Sequence, residues 1–217
     1  NVPFNVERDF APVTLAGSTP NLLAIHPSIP ARSLKELIAL AKAQPGQLTI
    51  AAAGIGTPSH LAAELLKQSA KIDLLVVQYK GTGSTLNDLV GGQVSLEFGT
   101  ALSFLPYIQS GRLKALAVTS RARSPVLPNV PTVAESGYPG FNAVSWTGLM
   151  GPAGLSGNIV EKLSAEMMKA GKEPKFVEQL TAQGVDSIAE GPAKFAAFIA
   201  SEIPLWADAV KRAGVTL

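Results

Sequence analysis

The stretch AAAGIGTPSHLAAEL, residues 51–65, gathers two glycines, a threonine, a proline and a histidine where an apolar run gives way to a helical pattern. Threonine is a favoured helix N-cap, and proline suits the first helical position because its missing N–H would find no partner there anyway. Thr57 followed by Pro58 therefore predicts a helix start. Gly54 and Gly56 permit a tight turn and close approach of a ligand, since neither carries a Cβ. The first-turn amides and the positive end of the helix dipole then form an anion site. A dinucleotide fingerprint would place a third glycine where Ser59 stands, and a P-loop would end in Gly-Lys-Ser/Thr. Neither is present. A carboxylate needs only a few donors and no fixed motif, so it remains.

Two further turns repeat this composition after apolar runs: YKGTGST at 79–85 and FGTALS at 98–103. Tyr79 can line a site or simply pack beside a sheet, and Lys80 reads as a solvated lysine. Ser59 and His60 invite a nucleophile and base, but neighbours on a helix point about 100° apart and cannot readily pair. No nucleophile elbow of the G-x-S-x-G kind occurs. A hydrolase that depends on His60 is thus a minor alternative. Glu64, Asp73, Asp88 and Glu97 read as scattered surface charges rather than as paired carboxylates.

The elements that must position these turns follow a βαβα rhythm. NLLAI (21–25), LTIAAA (48–53), LLVVQ (74–78), VSLEF (94–98) and LKALAVT (113–119) read as strands. Between them lie helices opened by Ser33, with Glu36 as a capping box, and by Pro58, then STLNDLV (84–90) and SFLPYIQS (103–110). Such alternation predicts an α/β fold with a mostly parallel sheet flanked by helices. After a Pro- and Gly-rich connection, NAVSWTGLMG (142–151) reads as a strand. Ser156 then caps a helix to about Ala170, and a long terminal helix should kink or break at Pro204.

Composition narrows the functional classes. Of 217 residues, 47% are hydrophobic and 16% charged, which argues against extensive disorder. A net charge of +2 with no basic block gives nucleic acid nothing to grip. Cysteine is absent and only His26 and His60 are available, so no metal site or cofactor is expected. The opening NVPFNVERDF has no positive region followed by an apolar one, so no signal peptide is expected within this chain.

The segments GIGTPSHLAAELLKQ, VQYKGTGSTLNDLVGGQV, GRLKALAVTSRARSPVLPNVPTVAESGYPGF, WTGLMGPAG and FAAFIASEIPLWADAVKRAG, in this order, resemble the Bug (TctC-like) solute-binding proteins of tripartite tricarboxylate transporters. The resemblance covers essentially the whole chain. It implies a two-lobed fold of the type II periplasmic-binding-protein class, a periplasmic location, a small carboxylate ligand, a membrane permease as partner, and no catalysis. Sensing for a membrane signalling partner is the alternative. By motif position, the GIGT turn with Gly54, Ile55, Gly56, Thr57 and His60 would contact a ligand carboxylate. Tyr79, Gly81, Gly99 and Thr100 would line the same cleft. The lobes would comprise residues 1–25 with 143–217, and 26–142.

The resemblance also has two departures. Relatives commonly carry an acidic residue where this chain has Gly99, which favours a plain carboxylate over an amino acid. The family's opening strand and glycine-rich loop ending in aspartate have no match here. A first lobe without them would expose sheet edges, so a truncated chain or a dimer that completes the lobe is expected, with weak ligand affinity.

Overall fold

The computed structural model describes residues 3–212. The chain forms two compact units: one holds residues 3–19 with Ser145–Asp208, the other Pro20–Val144 with residues 209–212. The sequence placed the crossings after residues 25 and 142. The first crossing falls earlier because β1 (Phe10–Ile25) is a single long strand whose second half joins the other unit. Leu15–Ser18 pair with β7 (Asp186–Glu190), whereas Asn21–Ile25 pair with strands of the second unit. Pro20, which has no N–H to give, sits where the partners change. Only 21–25 was legible as a strand. Gly17 breaks the earlier alternation because β7 passes so close that a Cβ there would lie 2.8 Å from the Asp186 carbonyl oxygen.

In the second unit α2 (Leu34–Ala43), β2 (Thr49–Ala52), α3 (Pro58–Ala70), β3 (Leu75–Gln78), α4 (Thr82–Val90), β4 (Leu96–Thr100), α5 (Ala101–Gln109) and β5 (Lys114–Val118) follow in order. The strand order is β3-β2-β4-β1-β5. β2 is parallel to β3 and β4, while β1 runs against β4 and β5. Four strands therefore share one direction, as the βαβ rhythm requires. Leu22, Ala24 and Ala51 pack beneath Leu89 of α4 and Phe104 of α5. Leu23, Ile50, Leu96 and Phe98 alternate with them, and are fully buried.

The caps explain where these helices begin. Ser33 Oγ accepts from the Glu36 amide at 3.2 Å, and Glu36 reaches back to the Arg32 amide at 2.7 Å, one residue earlier than a standard capping box. Pro106 lies inside α5 without ending it.

The first unit contains α1 (Val6–Asp9), the opening half of β1, β6 (Val144–Pro152) from Ser145 onward, α6 (Gly157–Ala170), α7 (Pro174–Ala182), β7 and most of α8 (Pro192–Arg212). β7 runs antiparallel to β1, so this pairing departs from the parallel expectation. Ser156 is the N-cap of α6 but its side chain makes no cap bond, contrary to the sequence reading. α8 passes through Pro204 without a break. The proline removes one donor from the ladder, and Trp206 Nε1 donates to Glu202 Oε2 at 2.7 Å across it. The core gathers Leu15, Phe195 and Ile199 with Trp146, Met150, Ile188 and Phe198 against them.

Candidate functional site

Because β3, β2 and β4 are adjacent and parallel, their C-terminal ends open on one edge of the sheet. Each end leads into a helix: β2 to α3, β3 to α4, β4 to α5. All nine residues singled out from the sequence lie at this edge, and three helix N-termini gather there with their positive dipole ends. In open parallel sheets this is where ligands collect. The first two turns also approach each other, since a Cβ at Gly54 would stand 3.9 Å from the Tyr79 carbonyl oxygen.

At the first turn, Gly54 has φ 145° and Gly56 φ 74°, conformations that favour glycine. Thr57 Oγ1 donates to the Gly54 carbonyl at 2.7 Å and accepts from the His60 amide at 3.4 Å. Its hydrogen is therefore committed to the turn, and Thr57 serves as cap and tie rather than as a donor to a ligand. The Gly56 amide donates to His60 Nδ1 at 3.1 Å, which places the ring hydrogen on Nε2. His60 is 5% exposed, and burial first of all holds its pKa below the ordinary value, so the ring is neutral. Ser59 Oγ lies 3.1 Å from Thr57 Oγ1, not against His60. Among the described residues no nucleophile hydrogen-bonds to the imidazole, so the hydrolase alternative lacks its geometry. Ile55 projects outward, 60% exposed. The amides of Gly54, Ile55 and Ser59 take part in none of these bonds.

Thr57→Val should cost the fold about 1–2 kcal/mol, since it deletes a cap and the bond that closes the turn. Thr57→Ser should cost far less. Urea melts of the two variants check this, and equal stabilities would show that the hydroxyl does not hold the turn.

The second turn differs. Tyr79 packs on the core beside the sheet, and its hydroxyl donates to Asp88 Oδ2 at 2.7 Å. Burial, then the Asp88 bond, pushes the phenol up to about 12. Gly81 is the N-cap of α4 and makes no side-chain cap bond. A Cβ at Gly81 or Gly83 would meet nothing within 4 Å. The start of α4 is thus both uncapped and open. At the third turn Thr100 caps α5, accepting from the Ser103 amide at 3.3 Å. A Cβ at Gly99 would lie 2.5 Å from Phe104 Cζ. The ring of Phe104 occupies the space where an acidic side chain would begin.

Two of the acidic residues that read as surface charges, Glu97 and Asp88, have structural partners. Glu97 is not a surface charge: it is 3% exposed in the middle of the sheet, paired across from Ala24 and Ala51. Thr85 Oγ1 lies 2.7 Å from its Oε1, and Oε2 has no hydrogen-bond partner among the described residues. Burial raises this carboxyl to about 7 against the lowering effect of Thr85. The signal was available: Glu97 interrupts the apolar run VSLEF, and a parallel strand covered on both faces buries every position. Asp88 likewise is tied to Tyr79 and is not a loose surface charge.

Among the described residues, no group of three or more His, Cys, Asp or Glu could hold a metal ion, and no helix is long and apolar enough to cross a membrane.

The family model described as the tripartite tricarboxylate transporter family receptor (TctC) matches residues 1–215. The chain is similar to the UPF0065 protein of the tcbD-tcbE intergenic region in Pseudomonas sp. (strain P51), with 39% identity over 206 residues, 94% of this chain and 61% of that protein. The chain therefore spans 61% of that relative's length. Among solved structures it is similar to R. palustris Rpa4515 with adipate, at TM-score 0.86 and 30% identity over 100% of this chain and 72% of that one. It is also similar to MatC (Rpa3494) from Rhodopseudomonas palustris with bound malate, at TM-score 0.79 and 32% identity over 97% and 72%.

Proposed function

The chain belongs to the tripartite tricarboxylate transporter receptor family, and from that membership we propose that it is the ligand-gripping part of a periplasmic receptor for a small aliphatic carboxylate. A dicarboxylate of the adipate or malate kind is the ligand class, and the transporter's membrane permease is the partner that receives it. The carrying observation is the sheet edge where three helix N-termini gather and one of them, α4, has no cap of its own. Amides there hold an anion by hydrogen bonds and dipole without any group placed to transform it. The receptors with adipate and with malate support the ligand class.

Thermal shift with adipate and malate tests this reading. A ligand at about a hundred times its Kd adds about 2.7 kcal/mol to stability, a rise of several degrees in Tm. Gly81→Asp should abolish the rise. Its carboxylate would take the amides of α4 for itself, at a position where the backbone is extended, φ 162° and ψ 168°, and has room. Without ligand its Tm should match or slightly exceed that of the parent. If neither acid moves the parent's Tm, this ligand class is wrong. If Gly81→Asp keeps the rise, the start of α4 is not the contact.

A further inference from the structure

Thr85, fully buried on α4, has its Oγ1 2.8 Å from the Thr82 carbonyl oxygen and 2.7 Å from Glu97 Oε1. A threonine hydroxyl carries one hydrogen, and a carbonyl oxygen can only accept. With Glu97 ionised, two acceptors compete for that hydrogen and one short contact is left as oxygen against oxygen. With Glu97 neutral the conflict disappears. Its Oε1–H donates to Thr85 Oγ1, and Thr85 donates onward to Thr82. Oε2 is then an uncharged carbonyl oxygen, far less costly to leave buried without a partner than a carboxylate oxygen.

The surroundings agree. Around Glu97, the strand segments Asn21–Ile25 and Thr49–Ala52 carry no ionisable side chain. α4 contributes Asp88, bound to the Tyr79 hydroxyl. α5 contributes only Tyr107. On α3, Lys67 pairs with Glu64 at 3.1 Å and His60 is tied to Gly56. Lys114 of β5 donates to the Ile29 and Ala31 carbonyls, and Lys80 is exposed. No described cation is placed to balance a negative Glu97, and burial raises its carboxyl to about 7.

We propose that Glu97 is a positioning residue for the carboxylate site: as a neutral acid it passes a hydrogen through Thr85 to the Thr82 carbonyl and fixes the first turn of α4. Thr82 follows Gly81 directly, so the relay ends at the uncapped helix start. Loss of the proton turns the Thr85 hydrogen back toward Glu97, releases Thr82, and sets a negative charge beneath amides that are offered to an anion. Capture is then stronger in the acid form. This rests on reading the start of α4 as the ligand contact, and its tests are arranged so that the two ideas fail separately.

Two readouts need no ligand. The infrared band of a protonated carboxyl should be present in the parent at about pH 6, lost by about pH 8, and absent from Glu97→Gln. Amide hydrogen exchange in the first turn of α4 should match between parent and Glu97→Gln at about pH 6 and be faster in the parent at about pH 8, because the glutamine amide keeps donating to Thr85. Thr85→Val, which cuts the relay but leaves the acid, should speed exchange at both pH values. The third readout is adipate titration. With the binding-competent fraction set by a midpoint near 7, the parent's affinity should fall about tenfold between about pH 6 and 8, while that of Glu97→Gln stays level. A missing infrared band at the lower pH, or an equal pH dependence of exchange in both proteins, overturns the proposal. If adipate fails to bind at either pH, the ligand class falls, and the infrared and exchange results still decide the role of Glu97.

Discussion

Between about pH 4.5 and 7, urea melts should show the parent chain losing about 3 kcal/mol of stability relative to Glu97→Gln. The sign follows from proton counting. The folded carboxyl titrates at about 7 against an ordinary 4.5, so across this window the native state keeps a proton that the unfolded chain has released. Stability declines wherever the folded state binds more protons. The contribution is complete below about 4.5, is lost as the pH rises to about 7, and is constant above. Asp186, raised by burial, acts in the same direction, whereas Glu135, lowered chiefly by the Thr132 amide and then by Arg123, Asp9, lowered chiefly by Arg8, and His60, lowered chiefly by burial, act in the opposite one. Comparing the parent with Glu97→Gln cancels all of these. Equal declines in the two proteins would show that Glu97 is not their source.

Phe195→Ala should destabilise the first unit by about 3–5 kcal/mol. The ring is completely buried, meets Trp146 edge-on at 5.7 Å and 81°, and lies against Leu15 and Ile199. The far end of the ring also presses on a glycine: a Cβ at Gly148 would come within 2.3 Å of its Cζ and 2.7 Å of its Cε1. Gly148→Ala should therefore cost about 1–3 kcal/mol by overpacking. The double variant should cost clearly less than the sum, since removing the ring makes room for the new methyl. A double-mutant cycle in urea measures the coupling, and strict additivity would mean that the ring and the glycine do not share this space. For a core this small, either single change is a large fraction of what marginal stability leaves.

The second unit was largely readable because its signals are local. Thr57–Pro58, Ser33 with Glu36, and Gly54 with Gly56 act within a few residues, and apolar runs alternating with helical periods announce a parallel sheet. What stayed hidden depends on distant partners. Residues 10–20 read as irregular because Gly17 serves the close passage of β7 and Pro20 sits where β1 exchanges one set of neighbours for another. Pro204 does not break α8, since one missing donor leaves the bonds on either side in place. At the candidate site, the residue types announced a turn rich in donors, but which of those donors remain unspent was invisible. Thr57 and Gly56 use theirs internally, and Gly81 provides no cap. The depth of Glu97 is legible only when the apolar run VSLEF around it is read as a strand covered on both faces; taken alone, an acidic residue reads as a solvated charge.

The contrast among the three helix starts has a thermodynamic corollary. α3 and α5 finish themselves with a threonine, so their first turns are as stable alone as in company. The opening turn of α4 has no side chain at its N-cap, and it is held from within by Ser84 on the Gly81 carbonyl and Thr85 on the Thr82 carbonyl, which leaves its first amides unspent. On the proposed reading, a bound carboxylate would supply the cap that the chain itself omits, and selectivity would favour guests able to complete a helix.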